Sequence, residues 1–204
     1  EPVPEVIILG PGERWDIGWI ARDAGQLLEV SGDEPLLVAQ VDLNPSDGTE
    51  VPAFPDAMAL PANPMPHLPA GVSQRVPVTL EGGAMGRLQS AQYQGEPHTF
   101  RELARNGQFW AISGQTGMPE TPLFRARQGE SVELLLDNRT AFPHTVHWHG
   151  HHVWANGRWH DSLTLLRGQQ KAVRLIAGNP GKWLIHCHMI DHQATGMITW
   201  FEVV

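Results

Sequence analysis

The run Trp183–Met197, W-L-I-H-C-H-M-I-D-H-Q-A-T-G-M, constrains the fold more than any other part of the chain. It holds the only cysteine, Cys187, with His186 and His188 on either side, His192 five residues on and Met197 five beyond that. A thiolate, several imidazoles and a thioether in this order are ligands suited to a redox-active metal ion. A fold that uses them must bring the end of a strand and the loop after it back onto one point. An isolated cysteine is most often a small buried hydrophobe, but the flanking histidines and the placing of His192 and Met197 argue for a ligand here.

Lys182 to Ile185 is apolar and β-favouring, which puts His186, Cys187 and His188 at a strand end. Side chains alternate along a strand, so His186 and His188 face one way and Cys187 the other. Two metal sites would then lie on opposite sides of one strand, a few covalent bonds apart. On the cysteine side the pattern is Cys187-x4-His192-x4-Met197. One cysteine and two histidines in a trigonal set, with a weak axial methionine, form the blue-copper arrangement. Zinc also takes Cys and His; the methionine and the division onto two faces favour copper. The missing histidine has a source in His144-Thr-Val-His147-Trp-His149-Gly150. His147 and His149 share a face of a strand, while His144 falls off that face or at the strand's start. This division assigns His144 to the Cys187 site. His147, His149, His186 and His188 then form an imidazole-rich second site, whose open positions suit oxygen binding.

The pattern H-x-x-H-x-H-G, followed about forty residues later by H-C-H-x-x-x-H-x-x-x-x-M, resembles the C-terminal domain of multicopper oxidases, the family of laccases and bacterial cuprous oxidases. The likeness is dense from Phe109 to Val204, including the strands that lead into both motifs. It is weaker over Val6 to Ile20, where P-G-E-R-W-D-I is similar to the late part of the family's middle domain. The resemblance implies an all-β cupredoxin-like Greek-key sandwich, preceded by a partial second cupredoxin domain. It implies copper as cofactor, with His144, Cys187, His192 and Met197 holding a blue type 1 ion. His147 would be a type 2 ligand, and His149, His186 and His188 type 3 ligands, of a trinuclear cluster. Electrons would enter through His144 or His192 and pass from Cys187 to His186 or His188, the three residues of the catalytic path. Dioxygen and a small reducing substrate (phenol, aromatic amine or metal ion) are the implied partners, and the periplasm or the extracellular space the implied location.

The family completes its cluster with four more histidines in two H-x-H pairs. Upstream of His144 this chain has only His67 and His98, each isolated. The resemblance therefore implies a second polypeptide or an N-terminal segment that supplies the other four. The alternative is a copper-binding electron-transfer module, or an inactive fragment, holding the blue copper alone.

The rest of the chain bounds this reading. At 204 residues it allows one large or two small domains. A net charge of −8 without a Lys/Arg cluster disfavours nucleic acid and anionic membranes. No apolar run reaches the length of a membrane span, and one cysteine excludes an internal disulfide. Gly and Pro, at 21 and 17, punctuate short β-rich runs. These are Glu5–Leu9, Ile17–Ile20, Leu27–Val30, Leu36–Val41, Arg75–Leu80, Phe109–Ile112, Ser131–Leu136, Thr145–Trp148, Lys171–Ile176, Lys182–Ile185 and Ile198–Val203. Many short strands at such spacing predict a β-sandwich. The proline-rich stretch from Pro52 to Gly71 reads as an extended connector, and His98 to Asn106 as a short helix capped by Thr99. Residues 1–73 are expected to be a partial middle domain with this connector, and residues 74–204 the copper-carrying domain. His151, His152 and His160 read as supporting or solvent-facing residues, and Met58, Met65 and Met85 as core or loop filling.

Overall fold

The computed structural model describes residues 7–15, 25–29, 36–41, 63–83, 85 and 88–204. It forms two compact units, one of Glu1–Val3 with Trp15–Pro64 and one of Pro4–Arg14 with Met65–Val204. In the first unit β1 (Gly25–Glu29) and β2 (Leu36–Val41) pair antiparallel, with a register shift between Leu27 and Leu28. Leu36, Leu37 and Val38 are exposed there. The run Ile17–Ile20, Met58, and Pro52, Pro55 and Pro61 of the connector lie outside the described residues. Pro64, Pro66 and Pro69 carry no regular structure, as the connector reading expects, and Ile7 to Leu9 form no strand.

The second unit runs β3 (Gln74–Gly82), β4 (Ser90–Tyr93), β5 (Glu96–Thr99), α1 (Phe100–Arg105), β6 (Trp110–Ile112), β7 (Arg125–Ala126), β8 (Ser131–Asn138) and β9 (His144–Trp148). It continues through β10 (Val153–Ala155), β11 (Arg158–His160), β12 (Ser162–Leu165), β13 (Gln170–Ile176), β14 (Gly181–Cys187), α2 (Ile190–Ala194) and β15 (Ile198–Val203). One sheet has the order β11-β10-β13-β8-β3-β6 and the other β12-β9-β14-β15-β7, while β4 and β5 form a separate hairpin. Most neighbours are antiparallel, but β3 with β8 and β15 with β7 are parallel. Parallel neighbours cannot be joined by a tight turn, so the chain crosses between layers, as a Greek key requires.

Alternation along the strands explains why the sheets stack. Val76, Val78 and Leu80 of β3, Val132, Leu134 and Leu136 of β8, and Val173 and Leu175 of β13 point inward from one sheet. Val146 and Trp148 of β9, Leu163 and Leu165 of β12, Ile185 and Cys187 of β14, and Phe201 and Val203 of β15 meet them from the other in one cluster. Each buried Leu or Val contributes about 1.5–3 kcal/mol of transfer free energy. The result is an all-β sandwich.

Phe100–Arg105 is helical where the sequence predicts it. The Glu102 carboxylate accepts hydrogen bonds from Thr99 N and Oγ1, both at 2.8 Å, which closes the first turn. Those bonds hold the Glu102 carboxyl below its ordinary range. Leu103 anchors the helix in a small separate cluster with Ala91 and Ala111.

Candidate metal centre

Strand register places the chemistry. β14 pairs with β9 so that His186 lies opposite His147 and Cys187 opposite Val146. Alternation then puts His144, two residues before Val146, on the same core-facing side as Cys187. His144 opens β9, so the uncertainty over its face is resolved toward the core, where it is fully buried. The five residues after Cys187 form a turn and the helix α2, which returns His192 to the same side.

There three ligand atoms converge. Cys187 Sγ lies 3.7 Å from His144 Nδ1 and 3.7 Å from His192 Nδ1, and the two Nδ1 atoms are 3.2 Å apart. An ion bound at about 2.3 Å from sulfur and about 2.0 Å from nitrogen, with ligands at trigonal angles, separates them by about 3.7 Å. The group therefore fits a single ion. Among the described residues it is the one set of three or more His, Cys, Asp or Glu ligand atoms that converge this closely. Met197 is fully buried in the same core, its carbonyl accepting the Cys187 backbone N–H at 3.0 Å. The Trp110 ring packs against both imidazoles, with centres 5.0 Å from His144 and 4.3 Å from His192.

Electrostatics point the same way. Burial pushes the Cys187 thiol up to about 11; the backbone N–H groups of Met189 and Thr145 pull it down and the Asp191 carboxylate pushes it up further. Burial, helped by the neighbouring His192, pushes His144 down to about 3, and burial also lowers His192. A neutral thiol between neutral imidazoles is the reverse of an activated nucleophile. It is the state from which a metal cation displaces one proton and gains three ligands.

On the other face of the strands stand the remaining imidazoles. Ring centres of His147 lie 4.9 Å from His149, 5.6 Å from His186 and 5.3 Å from His188. His149 and His186 bring their Nε2 atoms to 2.9 Å. His147 Nδ1 donates to Asp161 O at 2.8 Å and His186 Nδ1 to Cys187 O at 2.9 Å. Each bond favours the Nδ1–H tautomer and leaves Nε2 unprotonated, the form in which an imidazole can ligate an ion. Burial lowers His149 and His186, with the neighbouring imidazoles adding to the effect. These four rings are neighbours, but they do not converge on one point as the inner group does.

Several contributors were not legible in the sequence. The Pro11-Gly12-Glu13-Arg14 turn packs on this face. Glu13 accepts the Thr164 backbone N–H at 3.0 Å, Arg14 pairs with Asp161 at 3.2 Å, and a side-chain carbon at Gly12 would stand 2.7 Å from His188 Nε2. Pro4–Arg14 accordingly belongs to the second unit. His151 is buried between Trp183 and Phe201 and bonds His149 O at 3.2 Å, supporting the strand end. His152 is exposed, and His160 bonds Ala155 O at 3.1 Å. His67 is exposed, while His98 lies on β5, half-buried against Tyr93. Asp191 and Met85 are exposed.

A multicopper oxidase family model matches residues 93–204, more than half of the chain. The chain belongs to the multicopper oxidase family. This multicopper oxidase chain is 34% identical over 101 residues to the multicopper oxidase MmcO of Mycobacterium tuberculosis, a match covering 47% of the chain and 20% of that protein. It is 30% identical over 114 residues to the copper resistance protein A homolog of Pseudomonas syringae pv. tomato, covering 50% and 19%. The matches thus span about a fifth of the length of these relatives. A laccase-like multi-copper oxidase, CueO, from Ochrobactrum sp. shares the fold with a TM-score of 0.59 at 19% identity, over 89% of this chain and 42% of that one. The multi-copper oxidase of Pseudomonas thermotolerans does so with a TM-score of 0.56 at 23% identity, over 76% and 36%. The fold is therefore that of the cupredoxin sandwiches in these oxidases. Copper is the family's cofactor, and the His144, Cys187, His192 group is consistent with a type 1 site.

Proposed function

We propose that this chain is the C-terminal part of a multicopper oxidase. It would couple one-electron oxidation of a reducing substrate at a blue copper to the reduction of dioxygen to water at a trinuclear cluster. The observation that carries this reading is the position of Cys187. Its sulfur meets His144 and His192 on the core side of β14, while the adjacent His186 joins His147 and His149 on the other side. His144, Cys187, His192 and Met197 are read as the ligands of the blue site. His147 is read as a type 2 ligand, and His149, His186 and His188 as type 3 ligands. We read residues 74–204 as the copper-carrying domain and 1–73 as part of a middle domain, with the turn at Gly12 lent to the former.

The chemistry that bound copper supplies is one-electron transfer, four electrons and four protons converting one dioxygen to two waters. The protein's part is geometry. His144 is sealed from solvent, so a reductant meets the half-buried His192 edge. From the Cys187 sulfur the path to the outer face runs through the main chain, shortened by the bond from His186 Nδ1 to Cys187 O. Trp110 and the buried core around Cys187 keep water from the sulfur. The reductant is a phenol, an aromatic amine or a metal ion. The four histidines this half lacks come from another segment or polypeptide. Location in the periplasm or outside the cell fits the relatives; no described helix is long and apolar enough to cross a membrane.

A second reading is supported by the convergence of only one three-ligand group among the described residues. It takes the chain as an electron-transfer module, or an inactive fragment, with the blue copper alone. Metal analysis with intact mass separates the two. About four coppers in a complex with a second polypeptide supports the oxidase, and about one per isolated chain supports the module. No copper-dependent visible band at all sinks both.

A further inference from the structure

A buried polar chain stands behind His144, on the side away from Cys187. Thr140 Oγ1 lies 2.7 Å from His144 Nε2. The same oxygen accepts Phe142 N–H at 3.1 Å and lies 2.9 Å from Asn138 Oδ1 and 3.0 Å from Phe142 O. Asn138 is itself pinned. Its Oδ1 accepts Thr140 N–H at 3.0 Å, and its Nδ2 donates to Phe142 O, Leu165 O and Leu166 O at 2.8, 3.3 and 3.0 Å. Asn138, Thr140 and His144 are all buried.

Donor and acceptor counts decide the direction of these bonds. A hydroxyl has one hydrogen and two lone pairs. If Thr140 accepts from Phe142 N–H and gives its hydrogen to Asn138 Oδ1 or Phe142 O, one lone pair remains, and it faces His144 Nε2. Nε2 then carries the proton, and Nδ1, the nitrogen facing Cys187 and His192, is left with a free lone pair. The opposite tautomer would aim two lone pairs at each other across 2.7 Å unless Thr140 gave up its bond to Asn138 or Phe142, and it would put a hydrogen where an ion must bind.

We propose that Thr140, held by Asn138, is the positioning residue that locks His144 in the Nε2–H tautomer with Nδ1 presented to the metal, and that this bond tunes the blue site toward Cu(II). The inference rests on the type 1 reading for its copper consequences and on the hydrogen-bond geometry alone for the tautomer. An acceptor behind a ligating imidazole raises its basicity, which favours the more highly charged ion.

The test uses the full chain with Thr140→Val, which keeps the shape and removes the hydroxyl, and Thr140→Ser, which restores it. Thr140→Val is expected to bind Cu(II) about 10–100-fold more weakly and to show a higher reduction potential. A tenfold loss confined to Cu(II) corresponds to about 59 mV. Thr140→Ser is expected to recover most of both. A merely structural role would lower stability without raising the potential. Equal affinity and potential in wild type and Thr140→Val, or failure of Thr140→Ser to recover, overturns the proposal. Nitrogen-resolved NMR of the His144 ring in the metal-free, unmodified chain reads the tautomer directly, and decides the matter even if Thr140→Val does not fold. Nε2–H supports the lock, and Nδ1–H overturns it. A chain with the Nε2–H tautomer but no thiolate-dependent visible band on adding Cu(II) would instead refute the type 1 reading and, with it, the tuning; the lock alone would stand.

Discussion

On the core side of β14, three ligand atoms from β9, β14 and α2 point into one small volume, sealed by Trp110 and the sandwich interior. On the outer side, four imidazoles from β9, β14 and the residues just beyond them stand with recorded ring-centre distances between 4.9 and 5.9 Å. Their rings are partly open, apart from the buried His186. The same two strands build both groups, so the contrast does not come from local sequence. It comes from what lies above each face. The inner group is closed by the second sheet of its own sandwich. Against the outer one, among the described residues, stands the turn at Gly12, beside His188. A preorganised site holds its ion with chain already folded, whereas an open ring of imidazoles needs further ligands to complete an ion's shell.

The largest effect expected is that of Cys187→Ser. Loss of the one thiolate should abolish the intense visible band of the copper-loaded protein and any oxidase activity. A blue variant would break the inner half of the comparison. Next comes His147→Ala, which removes an outer ring whose tautomer is fixed by Asp161 O. Absorption spectroscopy should show the blue band intact, while total copper in the assembled oxidase falls. If the blue band vanishes with it, the two faces are not separable.

Acidification probes burial. His144 is held at about 3 by burial, against about 6.5 in an unfolded chain. Below about 6.5 the unfolded state binds the proton that the folded state refuses. Stability of the metal-free protein is therefore full above that pH and declines as pH falls toward about 3, at up to about 1.4 kcal/mol per pH unit for this one group. His149 and His186, lowered in the same direction, add to the slope. Denaturant melts of metal-free protein between neutral pH and pH 4 measure it; a flat profile would mean that the inner imidazole is not sealed. Gly12→Ala acts on the outer wall alone. Its φ of +81° makes a side chain costly by roughly 1–2 kcal/mol, and the new carbon presses on His188. Weaker metal uptake at the outer imidazoles with an unchanged blue band is the expected result.

Much of this was legible beforehand. The two motifs carried both faces, because period-two alternation turns the order His-Cys-His into geometry without further information. Ten of the eleven β-rich runs touch described residues, and nine of these coincide with strands; the exception is Ile7 to Leu9, irregular where a strand is expected. What stayed hidden depends on contacts between distant segments. The Gly12 turn reaches His188 across most of the chain, and Asn138 works through the carbonyls of Leu165 and Leu166. Neither leaves a periodic mark. The β10–β11 hairpin is different. Asn156 and Gly157 both have positive φ, as a two-residue turn demands, and that pair is a legible hairpin signal. The helix α2 is a single turn, too short for periodicity to reveal.

The smallest predicted effect separates fold stability from the two sites. The helix α1 packs through Leu103 on Ala91 and Ala111, a cluster distinct from the one that contains Cys187 and Met197. Its first turn depends on the Glu102 carboxylate meeting Thr99. Thr99→Ala removes the hydroxyl and leaves the backbone bond, so the loss should be about 0.5–1 kcal/mol, at the low end for a cap. Because Glu102 is exposed, water takes up most of what is lost. Thermal melts should register the shift, while copper affinity and the visible spectrum stay where they were. If copper binding weakened along with it, the inner site would be drawing on the stability of the whole sandwich rather than on its own two strands and helix, and the contrast between a closed inner site and an open outer one would reduce to a difference in overall rigidity.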